Sequence, residues 1–144
     1  MLKRLDYGSG YNPRKNFYTA DIYGHVDYYI DPTTYKLNTN NKFDFILARN
    51  VLHHIKNLDK LVKEFYSMLN DNGRVAVIEP AKEYYKQNYI LDYIWYRFVI
   101  PRYEVWFCDH YRDYEKNFIA NGFRLLKSFR LKEKEVKLFL KREI

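Results

Sequence analysis

LDYGSGYNPRKNFYTADI, residues 5–22, is the stretch on which the reading of this chain turns. Leu5 and Asp6 close a short apolar run, and Gly8 and Gly10 follow directly. Glycine lets a backbone turn sharply and approach a ligand with no Cβ in the way. The third glycine of the dinucleotide fingerprint is missing, with Pro13 in its place, and the acidic Asp21 comes only thirteen positions after Gly8. Asn12-Pro13 reads as an N-cap followed by proline at the first helical position. Phe17 already opens the next strand, so little more than one turn fits between them. A pyrophosphate needs a full helix whose N-terminus faces it, and a Walker loop needs a Gly-Lys-Ser/Thr that is absent here. The loop therefore suits a nucleoside without phosphates.

Working outward, residues 2–6 read as a strand ending at the loop, and 17–22 and 26–31 as two more, rich in aromatic and β-branched residues. Phe43 to Ala48 is apolar except for Asp44, as in a parallel strand covered on both faces. Asn57 caps a helix with Asp59 in its first turn and with Leu58, Leu61, Val62, Phe65, Met68 and Leu69 at helical spacing. Gly73 is expected to stop it in a left-handed conformation. Residues 74–80 form a buried strand closed by Pro80, 84–100 an aromatic helix, 111–121 an amphipathic one, and 123–129 with 136–142 an antiparallel pair. Strands alternating with helices imply a Rossmann-like, mostly parallel α/β sheet with helices on its faces, here ending in a C-terminal antiparallel hairpin. Ligands of such sheets bind beyond the carboxyl ends of the strands, where strand order reverses.

The whole of 1–144 reads as one domain, with 81–110 as an aromatic segment serving as a cover or an interface. A 47% apolar share argues against disorder. Cys108 is the single cysteine, so no intramolecular disulfide framework exists and a reducing, cytoplasmic setting is expected. No basic-then-apolar leader opens the chain, and its most apolar stretch contains Asp92 and Arg97, so no membrane association is expected. The net charge is +7, and residues 124–144 carry eight Lys/Arg against three Glu. That edge suits either a solvated hairpin face or an anionic partner such as RNA.

Several segments together resemble class I S-adenosylmethionine-dependent methyltransferases, in a small version similar to the type-11 group. LDYGSGYNP is similar to the family's acidic-Gly-x-Gly motif, TADI to its second-strand motif, FDFILARNVLHHI to its fourth-strand signature, and LNDNGRVAVIEP and HYRDYEKNFIANGF to later segments. The resemblance implies that S-adenosylmethionine is the cofactor. It implies that Asp6, Gly8, Ser9 and Gly10 cradle the methionine end and the adenosine. Asp21 would accept from the ribose hydroxyls, Ile22 would lie against the adenine, and Asp31 would face the adenine amino group. Ala48, Arg49 and Asn50 would lie by the methionine moiety. Against the family pattern, the helix before the first strand is absent and those after strands one and two shrink to loops. One sheet face is then thinly covered, which suggests shielding by the aromatic segment or by a second copy in a homodimer.

Methyl transfer from a sulfonium needs aligned approach more than acid–base groups. His53 and His54 are adjacent and cannot easily clamp one metal, and Cys108-Asp109-His110 lacks a second Cys/His pair, so no metal site is expected. His53 is expected to face the site and His54 to orient its turn. His53 and His110 are the candidate bases, with His110 or Tyr111 bordering the acceptor pocket. The expected function is methyl transfer to a small-molecule acceptor, or to RNA. The alternatives are a non-catalytic module that binds the cofactor or nucleic acid, and an NAD-dependent oxidoreductase, which Pro13 and the early Asp21 disfavour.

Overall fold

A computed structural model of the protein describes residues 2–10, 12–84 and 111–142. Its strands are β1 (Arg4–Tyr7), β2 (Tyr18–Asp21), β3 (Tyr28–Tyr29), β4 (Phe43–Arg49), β5 (Leu69–Pro80), β6 (Phe123–Leu131) and β7 (Lys134–Lys141). They form one seven-stranded sheet in the order β3-β2-β1-β4-β5-β7-β6. β1 pairs in parallel with both β2 and β4, so strand order reverses at β1, directly before the glycine loop. β7 runs antiparallel to β5 and β6 antiparallel to β7, which makes the closing hairpin. No helix follows β1 or β2 among the described residues, in keeping with the short spacing between Gly10 and Phe17.

The two-residue period of a strand sorts β4 onto two faces. Ile46 and Ala48 share one face with Leu5 and Tyr7 of β1 and with Val75 and Val77 of β5, and all six are buried. On this face pack α1 (Leu58–Met68) and α2 (Glu115–Ala120). Phe118 of α2 stacks on Phe139 at 4.1 Å, and Tyr7 meets Phe65 of α1 edge-on at 4.9 Å. Aromatic pairs in these geometries add roughly 0.5–1.5 kcal/mol beyond the area they bury. Phe45, Ala76, Ile78, Leu138 and Leu140 alternate to the opposite face and are only partly buried. The aromatic helix expected over 84–100, most of the cover segment 81–110, and His110 fall outside the described residues, save for a short 3-10 turn at Lys82–Tyr84.

α1 begins as its sequence indicates, with the Asn57 side chain accepting from the Lys60 N–H at 3.1 Å. Its end differs. Leu69 is already extended and β5 starts there, five residues before the expected strand. The left-handed residue is Asn72 (φ 63°), and Gly73 does not have a positive φ. Gly73 is needed for space instead, because a Cβ there would lie 2.8 Å from the Asn70 carbonyl oxygen and 2.9 Å from Leu69 Cδ2. Gly73→Ala is accordingly expected to destabilise the fold by about 1–3 kcal/mol, read as a lower midpoint in urea. The α1 carbonyls at this end are met by Lys141, whose buried ammonium donates to Tyr66 and Leu69 oxygens at 3.0 and 2.8 Å. α2 is shorter than expected: residues 111–114 precede it without helical structure, and they carry Tyr111 and Tyr114 inward.

Candidate functional site

The loop after β1 is pinned to its neighbour before any ligand is considered. The N–H groups of Gly8 and Ser9 both donate to the Ala20 carbonyl of β2, at 2.8 and 3.0 Å. Gly8 has φ 75°, and a Cβ on it would come within 2.5 Å of Val51 Cγ2. The glycine loop and the tip of β4 thus touch, and only glycine fits both the conformation and the gap. Gly8→Ala is expected to cost roughly 1–2 kcal/mol from the left-handed backbone alone. The clash with Val51 adds to this, so calorimetric titration should show weaker ligand binding as well as a lower melting temperature.

Asp21 ends β2 and binds the loop from the other side. Its Oδ2 accepts from the Gly10 N–H at 2.8 Å and its Oδ1 from the Ile22 N–H at 2.7 Å. Burial raises the pKa of this carboxyl, and the two N–H groups offset part of that rise. Each oxygen accepts one described bond, which leaves lone pairs for donors on a ligand.

These groups face a cavity of about 480 Å³, within the range of small-molecule sites. Gly8, Gly10, Asp21, Ile22 and Asn50 all line it, as do Tyr7, Thr33, Tyr35 and Lys60, which the sequence reading does not single out. Asp6, Ser9, Asp31, Ala48 and Arg49 do not line it. Asp6 is fully buried, and its Oδ2 accepts from the Arg14 N–H at 2.8 Å and the Arg49 guanidinium at 3.1 Å. Arg49 also donates to the Asn12 carbonyl at 2.8 Å, so this pair braces the loop from behind. Ser9 is buried against Ala20, and Ala48 lies fully buried within β4. Asp31 accepts from the Thr34 and Thr33 N–H groups, which hold its carboxyl below the usual range. Closing that turn brings Tyr35 (φ 66°) and Thr33 to the cavity wall.

The turn after β4, Leu52–His54, is organised by Glu79, the last acidic residue of β5. Glu79 is fully buried, and its carboxylate accepts from the N–H groups of Val51, Leu52 and His53 at 2.9, 3.4 and 3.2 Å. It also lies 3.0 Å from His53 Nδ1. Arg112 holds the same turn by donating to the Leu52 carbonyl. The expected roles of the two histidines are exchanged with respect to the cavity. Glu79 draws His53 inward, and His54 lines the cavity with its ring 4.1 Å from that of His53. Glu79 is missed by the sequence reading, although a carboxylate closing an otherwise apolar strand is a visible signal.

A second polar cluster lies between α2 and β7. The Tyr111 hydroxyl donates to Glu135 Oε1 at 3.1 Å, and Lys137 pairs with Glu115 at 2.9 Å and Glu135 at 3.6 Å. Burial, reinforced by Glu135, pushes Tyr111 from its ordinary 10.0 up to about 12, although Lys137 pulls the other way. A raised pKa favours the protonated folded form, so this stabilisation is complete below pH 10 and is lost as pH rises to about 12. Alkaline melting curves should fall across that window, and Tyr111→Phe should flatten the fall.

A model of the methyltransferase domain matches residues 5–128. The structure resembles an S-adenosylmethionine-dependent methyltransferase from Mesorhizobium loti, with a TM-score of 0.71 at 12% identity, over 96% of this chain and 90% of that one. It also resembles the CurJ carbon methyltransferase, with a TM-score of 0.65 at 16% identity, over 99% of this chain and 49% of that one. Thirty-eight residues are 45% identical to the Dictyostelium discoideum protein named "Probable polyketide synthase 10"; they make up 26% of this chain and 2% of that protein's length. Since the domain model spans the sheet from β1 into β6, the chain belongs to the methyltransferase-domain family, with the class I architecture.

Proposed function

We propose that the chain binds S-adenosylmethionine, the cofactor expected of this family, in the 480 Å³ cavity and transfers its methyl group to a small-molecule acceptor. The observation that carries the reading is Asp21. A partly buried carboxylate with spare lone pairs stands on the wall of a cavity at the point where strand order reverses.

The residues present fit the group. Asp21 would accept from a ribose diol, Ile22 and Ile30 offer apolar surface to an adenine, and the gap at Gly8 keeps the loop free of a Cβ. When bound, the cofactor supplies an electrophilic methyl on a sulfonium. The chain's own work is to hold and align the partners, which accounts for much of the barrier lowering in such transfers. His53 is retained as a candidate base where the acceptor carries a proton; it is buried against Glu79 through Nδ1, and His54 is the ring of the pair that lines the cavity. His110 keeps its place as a candidate bordering the acceptor, and Asp6, Ser9, Asp31, Ala48 and Arg49 as supports of the cofactor site.

A small acceptor is favoured over RNA because the basic C-terminal hairpin spends much of its charge internally. Lys141 meets the end of α1, Lys137 pairs with Glu115, Arg130 with Glu83, and Lys134 with Asn50. The likeness to a carbon methyltransferase and to a polyketide synthase supports the same class of acceptor. A homodimer formed across the partly buried sheet face, in a cytoplasmic setting, belongs to the same reading; sedimentation at micromolar concentration would test the assembly. The central test is calorimetric titration with S-adenosylmethionine, S-adenosylhomocysteine and NAD. Binding of the first two alone supports the proposal, and binding of NAD or of none overturns it. Binding without transfer to any of a panel of small acceptors would instead favour a non-catalytic module.

A further inference from the structure

Asn50 stands at the end of β4 in a left-handed conformation, φ 54°, with its backbone N–H donating to the Ile78 carbonyl at 2.8 Å. Its side chain is fixed from a distant part of the chain. Lys134, the first residue of β7, places Nζ 2.9 Å from Asn50 Oδ1. An ammonium has three donors and no acceptor, so the oxygen of the amide must be the atom that faces it. The Nδ2 end is thereby turned away from Lys134, and it donates to no described residue. Asn50 lines the cavity that Asp21 also lines.

We infer that Lys134 is a positioning residue that sets Asn50 as a hydrogen-bond donor toward the cavity, so that the site selects a ligand bearing an oxygen acceptor, a carboxylate or carbonyl. The inference rests on the cofactor reading above and goes beyond it. Asp21 accepts, suiting hydroxyls; Asn50 donates, suiting an anionic or carbonyl oxygen. The two residues give the cavity opposite polarities, so a bound molecule has a defined direction. Two sources offer such an oxygen: the amino-acid carboxylate of the cofactor and a carbonyl of the acceptor.

The test compares S-adenosylhomocysteine with 5′-methylthioadenosine, which keeps the adenosyl part and lacks the amino acid. If the cofactor supplies the oxygen, Lys134→Met should weaken S-adenosylhomocysteine roughly fivefold, the size of one neutral hydrogen bond; if the acceptor supplies it, the same loss should appear in acetoacetate binding to the S-adenosylhomocysteine complex. Lys134→Arg should restore it, and 5′-methylthioadenosine should be unaffected by either change. Asn50→Asp suits the same backbone conformation but replaces the donor by an acceptor, and should weaken that same ligand by roughly tenfold or more. In nitrogen-15 spectra the Asn50 side-chain NH2 pair, identified by its loss in Asn50→Asp, reports the source. A shift on adding S-adenosylhomocysteine but not 5′-methylthioadenosine assigns the oxygen to the cofactor. A shift that appears only when acetoacetate is added to the S-adenosylhomocysteine complex assigns it to the acceptor. No shift in either arm, or equal weakening of both nucleosides by Lys134→Met, overturns the inference. If the unaltered protein binds neither nucleoside, the cofactor reading itself fails.

Discussion

Asp21→Ala is expected to lower affinity for S-adenosylmethionine by at least about a hundredfold. Two hydroxyl-to-carboxylate hydrogen bonds are lost, each worth roughly 1.5–3 kcal/mol, so the total is about 3 kcal/mol or more. The fold should not suffer in proportion. Burial raises the pKa of Asp21, and such a carboxyl favours folding below its ordinary value of 3.8, a contribution lost as pH rises through the folded-state value. At neutral pH the ionised form is less favourable to the folded chain than the protonated one, but Asp21→Ala also deletes the acceptor of the Gly10 and Ile22 N–H groups, so the melting temperature should fall modestly. Affinity in the unaltered protein should also fall as the solution is acidified through the same raised pKa, since the protonated carboxyl accepts less well. Calorimetry across pH together with melting curves reads both effects. Retained affinity in Asp21→Ala would sink the assignment of the cavity.

Glu79→Ala is expected to be the most damaging single change to stability, costing about 3–5 kcal/mol, as when one partner of a buried charged network is deleted. Four donors lose their acceptor together: the N–H groups of Val51, Leu52 and His53, and the His53 ring. A typical domain is stable by only about 5–15 kcal/mol, so the variant should sit near its unfolding threshold at room temperature. Glu79→Gln keeps one acceptor oxygen but turns an amide donor toward other donors, so it should fall between. Urea unfolding with the ligand absent measures the stability term. Any binding defect of Glu79→Gln beyond its loss of folded protein measures the misplacement of the Leu52–His54 turn, whose His54 lines the cavity. Unfolding like that of the unaltered protein would mean that Arg112 alone holds the turn.

The parts of the site legible in the sequence are those whose physics is local. Gly8 and Gly10 announce a loop because their positive φ values, 75° and 61°, are conformations that other residues avoid. Asp21 announces itself because an acidic residue at the end of a short β-rich run has few structural reasons to be there. The apolar run through β4 reads as a two-faced parallel strand for the same reason: its pattern sits within a few residues. The stop of α1 was less legible, since Asn72 and Gly73 are both suited to a left-handed turn and only the contact of Gly73 with Asn70 and Leu69 separates them.

The sequence by itself determined the mostly parallel sheet, the switch point at β1, the loop free of phosphate-binding features and the carboxylate that follows it. All of these depend on residues within about twenty positions of one another, where backbone preference and side-chain period dominate. The tertiary structure alone decided which histidine meets the cavity, where the amide of Asn50 points, and whether the C-terminal lysines face outward. Each of those depends on partners far apart in the chain: His53 with Glu79, Asn50 with Lys134, Lys137 with Glu115, Lys141 with Leu69. A buried or half-buried charge must find its counter-group wherever folding brings one.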